Sequence, residues 1–142
     1  MGDSLSVSQS LTNIARVHKT MRTFDESIRY FKAALDIRQS TNDLSLIASS
    51  LNDIGGAYKE MGNYAQSIDY FQRALIIRRQ LSEKDQIAAS LLNVGSIYRQ
   101  LDLVETALTY YIEALDIYQK LADEKRISVC LNFIGGVYYQ KQ

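Results

Sequence analysis

The stretch LNDIGGAYKEMGNYAQSIDYFQRALII, residues 51–77, holds two apolar stripes separated by a glycine. Ile47 just before it, then Leu51, Ile54 and Tyr58, recur at spacings of three or four, which draws one apolar face on a helix. Met61-Gly62-Asn63 breaks the pattern; Gly62 suits a helix C-terminal cap and Asn63 a turn or N-cap. A second stripe follows through Tyr64, Ile68, Phe71, Leu75 and Ile77. Residues 47–77 therefore predict a helical hairpin, the body of a repeat over 47–86.

The same hairpin recurs along the chain. Leu11-Thr12-Asn13-Ile14-Ala15, Leu51-Asn52-Asp53-Ile54-Gly55, Leu91-Leu92-Asn93-Val94-Gly95 and Leu131-Asn132-Phe133-Ile134-Gly135 align with a constant spacing of 40 residues. Fixed-period self-similarity is the mark of a repeat architecture. The connectors Thr41-Asn42-Asp43, Ser82-Glu83-Lys84-Asp85 and Ala122-Asp123-Glu124-Lys125 supply N-cap oxygens and early-helix carboxylates. No proline interrupts a helix, and no segment alternates like a strand. Ala15, Gly55, Gly95 and Gly135 share one column, and Ala34, Ala74 and Ala114 another. Glycine in mid-helix is about 1 kcal/mol worse than alanine, so its recurrence predicts close approach by a neighbouring helix. The pairs Tyr30-Phe31, Tyr70-Phe71 and Tyr110-Tyr111 are expected to fill the space between hairpins.

The pattern Leu51–Ile54-Gly55–Tyr58–Gly62–Tyr64–Ser67–Phe71–Ala74 resembles the tetratricopeptide signature. Leu91, Val94-Gly95, Tyr98, Ala107, Tyr111 and Ala114 match it in the third unit, and Leu11, Ile14-Ala15, Phe24, Phe31 and Ala34 in the first. The period is longer than the usual one of about 34. It is similar to the long-repeat branch found in kinesin light chains, spindle-orientation adaptors and bacterial regulators. The proline that often closes a repeat is replaced by Gln39, Arg79 and Gln119, which suits longer second helices. The resemblance implies an all-α fold, a right-handed superhelix of seven antiparallel helices. One domain over 1–142 is expected, with repeats at 7–46, 47–86 and 87–126 and a partial fourth at 127–142. The chain reads as a fragment of a longer protein.

In stacked arrays of this kind the first helices line a concave face. Residues between the Ile54 and Tyr58 anchors then face the groove. One column is Asn13, Asp53, Asn93 and Phe133; a second is Arg16, Gly56, Ser96 and Gly136; a third is Lys19, Lys59, Arg99 and Tyr139. An asparagine amide both donates and accepts, so it pairs with a peptide backbone whatever the side chains. The resemblance implies that use for Asn13 and Asn93, in a groove holding a protein or extended peptide. The basic column favours acidic ligands, though exposed helix charges are ordinarily solvation alone. Some relatives clamp the C-terminal carboxylates of chaperones with lysine, arginine and asparagine. Thr12 and Arg16, then Asp53, then Ala89 and Asn93 stand at those positions here, and the match fails in all three repeats.

Other chemistry finds little support. The 142 residues are 46% hydrophobic and 23% charged, which suits a globular core rather than a disordered chain. Sixteen basic residues balance sixteen acidic ones, giving no broad attraction to nucleic acid or anionic lipid. No apolar run approaches the roughly 20 residues that span a bilayer, and Met1-Gly2-Asp3-Ser4 lacks the features of a signal peptide. A cytoplasmic location is the default. Cys130 and His18 are single, which removes internal disulfides and most metal or nucleophile chemistry. Cys130 falls in a small-residue column with Ser10, Ser50 and Ser90, and His18 in the column of Tyr58 and Tyr98, so both read as packing residues. No catalytic residue, metal site or cofactor is expected. A spacer, oligomerising or regulatory role within a larger signalling protein is the rival to partner binding. The last helix is expected to present Phe133, Val137 and Tyr139 as an apolar patch able to support weak homodimers; the alternative is a cap that tolerates its exposed aromatics.

Overall fold

The computed structural model describes residues 2–141. They form seven α-helices: α1 (Gly2–Thr20), α2 (Phe24–Thr41), α3 (Leu44–Met61), α4 (Tyr64–Gln80), α5 (Lys84–Gln100), α6 (Val104–Lys120) and α7 (Glu124–Gln140). No strand occurs among the described residues. The all-α reading and the helix count both hold. The chain divides into two compact units, Met1–Ile77 and Arg78–Gln142.

Turn chemistry sets the helix ends. Asp43 and Asp123 accept from the backbone N–H of Leu46 and Arg126, each at 3.0 Å. Asn63 Oδ1 accepts from the Gln66 N–H at 3.3 Å. Gly62 ends α3 in the left-handed region, at φ 86°, as its position predicts. Arg22, Asn42, Ser82, Asp102 and Ala122 adopt the same conformation without being glycine.

In the first unit Ala15, Ile28, Phe31, Leu35, Leu51, Ile54, Ala57 and Ala74 make a buried cluster. A Cβ added at Gly55 would lie 2.9 Å from Phe71 Cδ1, so glycine here admits the aromatic ring. Two serines brace the hairpins. Ser27 Oγ donates to the Ala15 carbonyl at 2.8 Å and Ser67 Oγ to the Gly55 carbonyl at 2.7 Å, both out of contact with water.

In the second unit Ala107, Tyr111 and Val137 are buried together, with Phe133 and Ile134 packed against them. A Cβ at Gly95 would meet Tyr111 Cε1 at 2.6 Å. Gly135 breaks the expected column. Nothing lies within 4 Å of its Cβ position, because the described residues place no helix there.

The aromatic pairs divide their labour differently from expectation. Phe31, Phe71 and Tyr111 enter the core. Their neighbours stack inside their own hairpins instead: Tyr30 on His18 at 5.4 Å, Tyr70 on Tyr58 at 5.6 Å and Tyr110 on Tyr98 at 5.5 Å. His18 is thus a packing residue with one polar edge. Its Nδ1 lies 2.9 Å from Thr23 Oγ1. That hydroxyl already donates to the His18 carbonyl, which assigns the ring proton to Nδ1. Cys130 is buried, and burial raises its thiol pKa.

Candidate functional site

The sequence-predicted residues fall on the first helices of each hairpin, and the two units treat them differently. In the first unit the cations are already engaged. Arg16 Nη2 lies 3.4 Å from Asp53 Oδ2, and Lys19 Nζ lies 3.1 Å from Glu60 Oε1. Burial raises the Asp53 carboxyl above its ordinary value, against the lowering pull of Arg16, Lys19 and Arg38. Lys59 is half-buried, and burial lowers its ammonium pKa. Asn13 is exposed, and its Oδ1 accepts from Gln9 Nε2 at 3.2 Å.

In the second unit Arg99 stands apart. Its guanidinium forms no ion pair and no hydrogen bond among the described residues. Its guanidinium lies over the bare backbone of Gly136, where an added Cβ would sit 2.7 Å from Arg99 Nη1. Arg99, Val129, Asn132 and Phe133 line an open pocket of about 320 Å³. Phe133 stacks on Tyr111 with ring centroids 5.1 Å apart. The Tyr111 hydroxyl is buried without a hydrogen-bond partner among the described residues, and burial raises its pKa against the lowering influence of Arg99. Asn93 is half-buried on the same helix as Arg99. The pocket therefore joins a free cation, an amide and an apolar wall.

One predicted surface residue is corrected. Val137 is fully buried, packed with Ala107 and Tyr111. It stands seven residues after buried Cys130, on the side of α7 that meets the preceding hairpin. Tyr139 is 82% exposed as expected. The unpartnered stripe of α7 is instead Leu131 (53% exposed), Gly135 and Tyr138 (55% exposed). One repeat earlier, Leu91 is buried, Gly95 touches Tyr111 and Tyr98 stacks on Tyr110.

Sequence reasoning missed a buried polar column. Arg38 and Arg78 stand 40 residues apart, and both are buried. Arg38 Nη1 donates to Ser50 Oγ at 2.7 Å, and Arg78 Nη1 donates to Ser90 Oγ. The third unit replaces both partners, with Tyr118 and Cys130. There the guanidinium comes from α7: Arg126 Nη1 donates to the Tyr118 hydroxyl at 3.0 Å and pairs with Asp85 at 2.7 Å. The paired change of Arg/Ser to Tyr/Cys at one repeat position was the available signal.

Two negative observations bound the chemistry. Among the described residues no three His, Cys, Asp or Glu side chains are grouped to hold a metal ion. No described helix is long and apolar enough to cross a membrane.

The tetratricopeptide repeat family matches three overlapping windows, residues 6–80, 46–120 and 86–142, each offset by the 40-residue period. The chain belongs to this family. None of the curated proteins compared with it matches. Solved structures share the tetratricopeptide fold at low identity. The apo form of RapI superposes with a TM-score of 0.88 at 21% identity, over 99% of this chain and 39% of that one. A Rap conjugation gene regulator of plasmid pLS20, in complex with the Phr* peptide, gives 0.81 at 19% identity, over 92% and 37%. A kinesin light chain-type array of nearly identical TPR-like repeats from Podosopora anserina gives 0.80 at 14% identity, over 97% and 68%. The chain thus spans about two fifths of the length of the Rap proteins. At these identities the likeness concerns the fold alone.

Proposed function

We propose that this tetratricopeptide module binds a partner protein or extended peptide on its first-helix faces and catalyses nothing. The observation that carries the reading is the state of Arg99: a cation with no counter-ion among the described residues, held over Gly136 in an open pocket with Phe133 as its wall. A partner segment bearing a carboxylate beside an apolar side chain complements that pocket. Asn93, on the same helix, is assigned to the partner's backbone. In the first unit Asn13 takes that role, beside Arg16, Lys19, Asp53 and Lys59, of which Arg16 is paired with Asp53 and Lys19 with Glu60. The peptide in the Rap regulator complex supports the general mode. The reading includes no cofactor, nucleic acid or membrane ligand.

The test is binding of a labelled peptide panel, acidic and neutral, to the wild type and to Arg99→Ala. Acidic peptides with an aliphatic or aromatic neighbour should bind best. Their affinity should fall roughly tenfold in Arg99→Ala, as loss of a charge-assisted contact implies. Equal binding by the variant would remove the Arg99 pocket from the site. Unchanged partner capture by Asn13→Ala with Asn93→Ala would remove the asparagines as well.

A second reading has its own observation. The exposed stripe Leu131–Gly135–Tyr138 is apolar and uncovered, so the module could serve to join copies or neighbouring domains rather than to hold a peptide.

A further inference from the structure

A second candidate binding site lies in the first unit, at the N-terminal end of α1 and far in sequence from Arg99. Leu5, Ser6, Ser8, Gln9, Arg38 and Leu46 line a pocket of about 230 Å³. Arg38 is only 3% exposed, yet no carboxylate lies within ion-pair distance of it among the described residues. A guanidinium does not shed its proton in a protein, so the charge stays where it is buried. Asp53 and Asp43 act on it from longer range, with Arg16 opposing them. Both carboxylates are occupied elsewhere, Asp53 by Arg16 and Asp43 by the Leu46 N–H.

The hydrogen bonds of Arg38 are unequal. Nη1 is held firmly by Ser50 Oγ at 2.7 Å, the bond that Arg78 repeats with Ser90. This is the structural part of its role. Nε and Nη2 form the opposite edge, where their contacts are long: 3.3 Å to Ser8 Oγ and 3.4 Å to Gln9 Oε1. Both acceptors are neutral, and both residues line the pocket. An edge of two parallel N–H groups is the part of arginine that matches the two oxygens of a carboxylate. Ser8 has a second partner in the Leu5 carbonyl, and Gln9 has one in Asn13, so each keeps a hydrogen bond if Arg38 is withdrawn. A water molecule takes about 30 Å³ of liquid, so the pocket has room for a carboxylate and several methylene groups. Leu5 and Leu46 offer apolar walls for such a stem.

We propose that this pocket is a carboxylate site. It takes a carboxylate on a short aliphatic stem, whose oxygens replace Ser8 and Gln9 on the Nε–Nη2 edge of Arg38 while Ser50 keeps Nη1 in place. Two sources share that chemistry, a free short-chain acid and the glutamate side chain of a bound peptide.

The arginine Nε–H resonances of the whole chain report occupancy directly. Three probes are titrated: glutarate, its neutral analogue glutaramide, and an end-blocked Ala-Glu-Ala peptide. The expected result is a saturable shift of the Arg38 resonance with a carboxylate probe and none with glutaramide. A shift from glutarate alone assigns the site to a free acid; a shift from the peptide assigns it to a partner's acidic side chain. Gln9→Glu places the chain's own carboxylate at the same edge while leaving Arg38 and its serine bond intact. It should weaken the probe by roughly tenfold or more. Arg99→Ala should leave the Arg38 shift unchanged, which separates this site from the pocket of the second unit. No shift with either carboxylate, an equal shift with glutaramide, or undiminished binding by Gln9→Glu would overturn the proposal.

Discussion

Single residues show how far a repeat column can be read. Gly55, Gly95 and Gly135 share one column, but only the first two face an aromatic ring. The sequence displays the column; what packs on each member depends on the tertiary neighbours. Gly95→Ala should lower stability by about 1–2 kcal/mol, since overpacking against buried Tyr111 outweighs the gain in helix propensity. Gly135→Ala should raise it by about 0.5–1 kcal/mol, because space is open and only the flexibility of the unfolded chain is lost. Urea midpoints of the two variants check the pair; a matching sign would contradict the packing described here. The proposed binding residues were legible as positions but not as states. Spacing placed Arg16, Lys19 and Arg99 on equivalent faces. It could not show that Asp53 and Glu60 neutralise the first two, nor that Gly136 leaves a bed for the third. Those are facts of contact between helices, not of period.

Asp53 adds a pH dependence at the same scale. Burial raises its carboxyl pKa in the fold, with Arg16 opposing. The folded state therefore takes up the Asp53 proton before the unfolded chain does. The contribution of this group to stability rises as pH falls through the folded pKa and levels off below the unfolded one. The carboxyl carbon of Asp53, followed by NMR, should titrate above the ordinary aspartate range. In the Arg16→Ala variant the midpoint should move higher still. An unchanged midpoint would show that the ion pair does not act on Asp53.

At the scale of helices, the connectors were the least legible part. Gly62 was recognisable as a cap, because glycine alone among the residues there favours positive φ. Arg22, Ser82, Asp102 and Ala122 hold the equivalent conformation with side chains that do not announce it. Only the 40-residue alignment points to them, Arg22 and Asp102 with Gly62, and Ser82 and Ala122 with Asn42. The left-handed conformation costs an alanine about 1 kcal/mol. Ala122→Gly should recover most of that and raise the thermal midpoint by roughly 3 °C. Gly62→Ala should do the reverse. A lower midpoint for Ala122→Gly, measured by calorimetry, would show that chain entropy outweighs the relieved strain. Helix α7 illustrates the other weakness. An apolar sequence stripe identifies a helix, but its seven-residue spacing leaves open which of two neighbouring stripes is covered. Cys130 and Val137 went inward, and Leu131 and Tyr138 did not.

For the whole molecule, the consequence is a surface on α7 that the other described residues do not cover. Gly95 and Tyr98 show what this stripe meets in the preceding hairpin: Tyr111 and Tyr110 of the following helix, with Leu91 buried beside them. Leu131, Gly135 and Tyr138 offer the same relief to solvent, with Gly135 as a shallow notch between two large side chains. Burial of apolar area is worth roughly 25 cal/mol per Å², so a few hundred Å² suffices for weak association. The formal net charge is zero, so no overall repulsion keeps copies apart near neutral pH. A two-fold contact that pairs the stripe with itself is the simplest closed arrangement. Sedimentation over a concentration series should therefore show a monomer–dimer equilibrium. Leu131→Ser with Tyr138→Ser should abolish it, whereas Tyr139→Ser, off the stripe, should weaken it less. Val137→Ser would be uninformative, since it damages the core beneath. A strict monomer at high concentration would leave the stripe to a different covering, and partner binding through Arg99 would then stand without self-association beside it.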